Sequence, residues 1–277
     1  SACPHDCPST CTLDIEHDLN NIYSVKGNKE NTYTKGIICS KVSRYRERTH
    51  NKKRLQHPMK RVGAKGSGEF INISWDEALD TVCANFTNIN QNYGSEAIWP
   101  YFYAGTMGLV QRDSINRLRN IFNYSNQYST ICNTLAQTGW LAGVGSLRGP
   151  DPREVLHSKV IIIWGGNPAS TQVNFMKHVQ NARKKNNAIL IVVDPYLTKT
   201  AKIADIHIKL KPGTDGALAC GIMKHLFESN KVDYEYMENF SKGSQELKKH
   251  LISKPFNWAH QITGVENNTI TQLCNII

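Results

Sequence analysis

The sequence predicts an α/β protein in which a small β-rich domain precedes an α/β region and a Rossmann-like domain built on a parallel sheet. Four of the eight cysteines fall early, at positions 3, 7, 11 and 39, among short segments of β character. Past residue 151, short apolar strands alternate with amphipathic helices, the pattern of a doubly wound parallel sheet. Between these regions the periodicity is helical. With 40% hydrophobic and 20% charged residues over 277 positions, the composition excludes disordered and fibrous classes. The longest apolar run, Ala188 to Val193, is far shorter than the roughly 18 residues of a membrane helix.

The expected elements run in order. Leu13-Asp14-Ile15-Glu16 and Ile22-Tyr23-Ser24-Val25 alternate apolar and polar residues around the turn-prone pair Asn20-Asn21, which predicts a hairpin. Ser74-Trp75-Asp76-Glu77 is a capping box, with Ser at the N-cap and Glu three residues on. Behind it Trp75, Ala78, Leu79, Val82, Cys83, Phe86 and Ile89 recur at helical spacing, giving a helix to about Asn90. Ala97-Ile98-Trp99 reads as a strand entering the loop 105–108, which is read as lining the site. Helices are expected over 114–122 and 132–142. The Gly/Pro-rich connector 143–152 then marks a domain boundary. Strands follow at 159–164, 188–193 and 206–210, with helices at 174–185, 215–229 and 269–276. The expected division is 1–57, 58–150 and 151–277. Cys83, Cys220 and Cys274 fall at apolar helical positions and are expected in the core. The last helix has no closing element after it, so the chain reads as cut from a longer one.

Charge is concentrated. Positions 41–65 hold ten Lys and Arg against the single acid Glu47, so this stretch carries nine of the ten net positive charges. Such a segment faces a polyanion, forms a solvated surface, or does both.

The early cysteines follow Cys3-x3-Cys7-x3-Cys11-x27-Cys39. Disulfide frameworks belong to short, cysteine-dense secreted chains, which this is not. Four thiolates suit a tetrahedral zinc or a cubane iron–sulfur cluster. Zinc ribbons favour two close pairs, whereas three close ligands and one returning ligand suit a 4Fe-4S cluster, the favoured reading. A radical enzyme's three-cysteine site fits less well, because its usual second gap is shorter and a fourth cysteine stands here. Lys41, two residues past Cys39, is either an exposed lysine opening the basic run or a cation that stabilises charge added to the cluster.

A second constellation lies at the carboxyl ends of the predicted strands, where open α/β sheets bind ligands. Trp164-Gly165-Gly166-Asn167-Pro168 follows the first strand, Asp194 ends the second, and Pro212-Gly213-Thr214-Asp215 follows the third. Glycines let a phosphate or ring approach the backbone, and the next helix offers its N-terminal amides. The GxGxxG fingerprint is absent, which argues against nicotinamide. Asp215 also reads simply as an N-cap. Together the three signals predict a nucleotide site.

At this point a resemblance emerges. The run Cys3-Pro4-His5-Asp6-Cys7-Pro8-Ser9-Thr10-Cys11 and the return Lys35-Gly36-Ile37-Ile38-Cys39-Ser40-Lys41 resemble the molybdopterin oxidoreductases of the dimethyl sulfoxide reductase family. So do Ile73-Ser74-Trp75-Asp76-Glu77-Ala78 and the two nucleotide motifs, in the same order over nearly the whole chain. The resemblance implies the N-terminal portion of that fold, with a 4Fe-4S cluster on Cys3, Cys7, Cys11 and Cys39 and with Lys41 between it and a pterin. It implies a bis-molybdopterin guanine dinucleotide carrying molybdenum or tungsten. Gly166 and Asn167 match the dinucleotide-contacting loop, and Asp194 and Asp215 the guanosine-binding acids. Ser129-Thr130-Ile131-Cys132-Asn133 matches the metal-ligand segment, making Cys132 the candidate ligand; its bland alternative is a buried structural cysteine. Some of Arg44, Arg46 and Arg48 are then read as facing cofactor pyrophosphates and the rest as solvated. The implied function is a molybdopterin-dependent oxidoreductase acting on a small molecule, with an electron-transfer protein as partner. Its expected location is cytoplasmic, or periplasmic if an export signal was removed. The rival reading is a zinc-stabilised nucleic-acid-binding protein using the basic stretch, although aromatic residues interleaved with the cations are lacking beyond Tyr45.

Overall fold

The computed structural model describes residues 1–5, 7–101, 114–128 and 133–277. They divide into two compact units, Ser1–Gly149 and Pro150–Ile277.

In the first unit, strands β1 (Leu13–His17) and β2 (Ile22–Gly27) form the antiparallel hairpin expected from their alternation. Asp18 closes its turn: one carboxylate oxygen accepts the amides of Asn20 and Asn21 at 2.7 and 2.6 Å, and the other accepts the Tyr23 hydroxyl. Two short helices follow, α1 (Ser40–Ser43) and α2 (Tyr45–Thr49). A minimal hairpin of β3 (Met59–Arg61) and β4 (Phe70–Asn72) leads into α3 (Trp75–Tyr93). The capping box forms as read, with Ser74 Oγ accepting the Glu77 amide at 3.1 Å. The helix ends at Gly94 (φ 84°). Helices α4 (Ser114–Phe122) and α5 (Asn133–Val144) match their predicted spans closely.

Two expectations here fail. Residues 97–99 form no strand: a 3-10 turn covers Ser95–Ala97, and Ile98 instead offers its carbonyl to the Ser125 amide. Helix α3 has the predicted apolar face but fully buries none of its residues: Phe86 and Ile89 are half-buried, and Phe86 meets Tyr124 edge-on at 5.8 Å between ring centroids. Trp75 is 66% and Leu79 57% exposed, and Cys83 is exposed rather than core. Periodicity specifies a face, but burying it requires a partner surface.

The second unit is a three-stranded parallel sheet in the order β5 (Val160–Trp164), β6 (Ile189–Val193), β7 (Ile206–Ile208). Helices α6 (Pro168–Thr171) and α7 (Val173–Asn186) make the crossover from β5 to β6. The β6–β7 connection carries only a 3-10 turn, Ala201–Ile203. It is tied back to α7 by Arg183, which reaches the Ile203 carbonyl at 2.8 Å and the Asp205 carboxylate at 2.5 Å. Alternation along β6 separates two cores. Leu190 and Val192 pack with Met176, Val179 and Ala182 of α7. Ile191 and Val193 face α8 (Asp215–Glu228), α11 (Trp258–Thr263) and α12 (Asn267–Ile276). Helices α9 (Tyr234–Phe240) and α10 (Ser244–Ile252) connect α8 to α11. Cys274 is fully buried in the second core, and burial pushes its thiol up to about 11. Cys220 is half-buried.

Two predictions follow from this packing. Tyr23 first, and the turn amides after it, hold the Asp18 carboxyl down at about 2 from an ordinary value of 3.8. A depressed carboxylate stabilises the fold above its unfolded value and loses that contribution as pH falls through the folded one. NMR titration is therefore expected to put the Asp18 midpoint near 2 and to move it up in Tyr23→Phe; an unmoved midpoint counts against the Tyr23 bond. At the α8–α11 crossing, a Cβ on Gly221 would stand 2.6 Å from Ala259 Cβ. Gly221→Ala is expected to cost about 1–3 kcal/mol in urea unfolding, with part restored by Ala259→Gly in the double variant.

Candidate functional site

The first unit gathers its cysteines by backbone pairing. Cys3 N–H donates to the Cys11 carbonyl at 2.8 Å, Ala2 bridges Thr12, and the Leu13 amide donates to the Ser1 carbonyl at 2.6 Å. Between the paired cysteines the chain turns at Thr10 (φ 43°), whose amide meets the Cys7 carbonyl at 3.4 Å. The Ser9 amide donates to Cys7 Sγ at 3.4 Å.

The returning segment is set by a glycine contact. A Cβ on Gly27 would lie 2.3 Å from the Gly36 carbonyl oxygen, so the end of β2 and the return loop touch backbone to backbone. Lys35 and Gly36 both take positive φ to make the turn. Three residues later Cys39 caps α1, its carbonyl accepting the Val42 and Ser43 amides at 3.2 and 3.1 Å. Val42, 1% exposed, then packs with Cys11 and Leu13, and Cys3, Ile38, Cys39 and Tyr45 close around them.

Three of the four cysteines thus share one small cluster, while Cys7 stands in the loop between. All four are free thiols, half-buried or buried. Burial pushes the Tyr45 phenol above its ordinary value, and the nearby charges of Cys3 and Cys39 add to the shift. Among the described residues no three of His, Cys, Asp and Glu converge closely enough for one metal ion. The donor set, four cysteine thiols in this small cluster and its loop, is the kind that a cubane takes, one at each corner iron.

Lys41 is exposed on α1 and lines a groove of about 640 Å³ with Arg44, Arg48, Lys53 and Arg54. Arg44 is paired with Glu47 at 2.7 Å, and Arg48 lies over the Tyr45 ring at 5.9 Å.

In the second unit the loops leaving the three strands lie along one sheet edge. Gly165 (φ 63°) turns the chain out of β5, and its amide donates to the Val193 carbonyl at 2.9 Å. A Cβ on Gly166 would meet nothing closer than 3.5 Å, so that glycine leaves space rather than relieving a clash. Asn167 Oδ1 accepts the Thr200 amide and hydroxyl at 3.2 and 2.8 Å, and its Nδ2 donates to Ser170 Oγ at 3.2 Å. Thr200 Oγ1 also accepts the Ala169 amide at 3.1 Å. The Asn167 side chain therefore splices the loops after β5 and β6 together. The sequence carries no sign of Thr200's part, because the partner lies 33 residues away.

Asp194 is 5% exposed, and its Oδ1 accepts the Tyr196 amide at 3.1 Å. Asp215 is not the N-cap: Thr214 holds that position, and Asp215 opens α8. Its Oδ1 accepts the Trp164 indole N–H at 2.7 Å, joining the end of β5 to the start of α8. Trp164 was legible only as the end of an apolar strand. Cys132 and the loop 105–108 lie outside the described residues.

Comparison with known proteins identifies a family. Residues 1–51 match the family described as molybdopterin oxidoreductase Fe4S4 domain, and residues 54–267 match molybdopterin oxidoreductase. Probable oxidoreductase YoaE of Bacillus subtilis (strain 168) is 37% identical over 277 residues, covering 100% of this chain and 41% of the relative. Dimethyl sulfoxide reductase DmsA of Escherichia coli (strain K12) is 30% identical over 314 residues, covering 100% of this chain and 39% of its own length. The chain thus spans about two fifths of these curated relatives. Among solved structures, acetylene hydratase from Pelobacter acetylenicus superposes with a TM-score of 0.76 at 26% identity, over 97% of this chain and 37% of that one. The zinc-stabilised nucleic-acid reading finds no support among these matches.

The Gly27–Gly36 contact yields a prediction that does not depend on any metal. Gly27→Ala drives a side chain into the Gly36 backbone, an overpacking worth about 1–3 kcal/mol, so loop opening rises by roughly tenfold. Alkylation of Cys11, 7% exposed in the native chain, should accelerate by a similar factor in the metal-free protein. An unchanged rate means that the contact does not hold the return loop.

Proposed function

The chain belongs to the molybdopterin oxidoreductase family, and from that premise we propose that it is the cofactor-bearing N-terminal part of a catalytic subunit that exchanges electrons with a small-molecule substrate. The observation that carries the reading is the cysteine nest, in which Cys3, Cys11 and Cys39 close on one buried patch within the segment that matches the Fe4S4 domain.

In this reading Cys3, Cys7, Cys11 and Cys39 hold the 4Fe-4S cluster. Lys41 follows the last ligand by two residues, and its ammonium offsets negative charge added there. The dinucleotide is a bis-molybdopterin guanine dinucleotide with molybdenum or tungsten. Asp194 and Asp215 accept hydrogen bonds from guanosine, whose guanine edge presents N–H donors. Gly166 leaves open backbone for the ligand, and Asn167 contributes through the loop it holds rather than through a free side-chain amide. Cys132 is the metal's protein ligand, a soft thiolate suited to molybdenum. Bound together, the cofactors supply two-electron chemistry at the metal and one-electron transfer at the cluster; the protein supplies position and electrostatics.

The working division is a cluster domain over 1–57, the first part of the catalytic scaffold over 58–150, and a dinucleotide-binding domain over 151–277. The partner is an electron-transfer protein, and the compartment is the cytoplasm, where thiols stay reduced. Among the described residues no helix is long and apolar enough to cross a membrane.

Anaerobic purification followed by metal, sulfide and electron paramagnetic resonance analysis tests the reading. About four irons per chain and a reduced-cubane signal are expected, with the signal lost in Cys39→Ser. About one zinc per chain without iron overturns it.

A further inference from the structure

The loop between Cys7 and Cys11 contains a buried hydroxyl that nothing in the described protein satisfies. Ser9 is 3% exposed, and its Oγ has no hydrogen-bond partner among the described residues. Its backbone amide, by contrast, already donates to Cys7 Sγ at 3.4 Å. His5 Nε2, on the other side of Cys7, is likewise enclosed without a partner among the described residues. Leaving a buried hydroxyl unpaired costs about 1–3 kcal/mol. Native proteins carry few such groups, and an orphan next to a metal site points to an acceptor that the chain itself does not supply.

The loop is bounded by Cys7 and Cys11, and the Ser9 amide is already committed to one of their thiolates. We infer that the Ser9 hydroxyl donates a hydrogen bond to a sulfur of the 4Fe-4S cluster, a cysteine thiolate or a bridging sulfide, and thereby raises the cluster's reduction potential. The inference rests on the cluster reading above.

The physical effect has a definite sign. One-electron reduction adds negative charge that is shared over the sulfurs. A hydrogen bond to sulfur stabilises the more negative form more strongly, so the reduced cluster is favoured. Removing the donor shifts the balance toward the oxidised cluster. Ser9 is a tuning residue in this scheme: it ligates no iron and moves no proton.

The test compares wild type, Ser9→Ala and Ser9→Thr, each with its cluster loaded anaerobically, by redox titration monitored with electron paramagnetic resonance. Ser9→Ala should lower the reduced-to-oxidised ratio at a fixed potential by about tenfold, equivalent to about 59 mV for a one-electron couple. Ser9→Thr keeps the hydroxyl and should stay near wild type. Electron–nuclear double resonance in deuterated buffer should reveal an exchangeable proton coupled to the wild-type cluster and absent from Ser9→Ala.

A cubane with unchanged potential and unchanged proton coupling in Ser9→Ala overturns the inference and leaves the cluster reading standing. If Ser9→Ala loses its iron, the wild-type spectrum decides: no exchangeable coupling beyond that of the backbone amides overturns the inference. A wild-type chain that forms no cubane overturns the cluster reading itself.

Discussion

The second unit depends on burying β6 from both sides. Leu190, Ile191, Val192 and Val193 are all at 0% exposure, and their alternation sends two side chains into each core. A strand covered on both faces must lie inside a sheet, so β5 and β7 take its two edges and run parallel to it. Parallel strands place all their carboxyl ends on one edge, and the loops bearing Gly166, Asn167, Asp194 and Asp215 emerge there together. The hydrogen bonds from Asn167 to Thr200 and from Trp164 to Asp215 lock loops that the sheet has already brought side by side.

The first unit solves a different problem with much less core. Its cluster of Cys11, Leu13 and Val42 is too small to order a long loop by burial alone. Main-chain geometry does the work: Cys3 pairs with Cys11, and Gly27 lets the return loop approach within backbone contact. Small domains of this kind often borrow stability from a bound metal. A polar loop interior with an orphaned Ser9 hydroxyl fits a site that is completed by its ligand.

Electrostatics overlays both. Most of the net charge sits between Lys41 and Lys65, beginning two residues from Cys39. A cationic groove there lowers the cost of negative charge placed beside it. The exposed apolar face of α3 is a separate matter. Its Trp75 and Leu79 await a surface that the described residues do not provide.

Local pattern alone determined much of this protein. The Ser74 capping box, the period of two in β1 and β2, and the apolar strands before Trp164 and Asp194 were all legible, because each depends on neighbours a few residues apart. The cysteine spacing pointed to a cluster for the same reason: three cysteines share one loop. Tertiary structure decided what depends on distant partners. Residues 97–99 had a strand's composition but, among the described residues, no strand to pair with, and Cys83 had a core pattern but no core there to enter. Asp215 also read as a cap, but Thr214 holds that position, and Trp164, 51 residues away, donates to its carboxylate. Asn167 read as part of a ligand-contacting loop, and only the fold shows Thr200 bonded to its side chain. Sequence encodes which groups are available at short range, whereas the fold decides which of them are already satisfied.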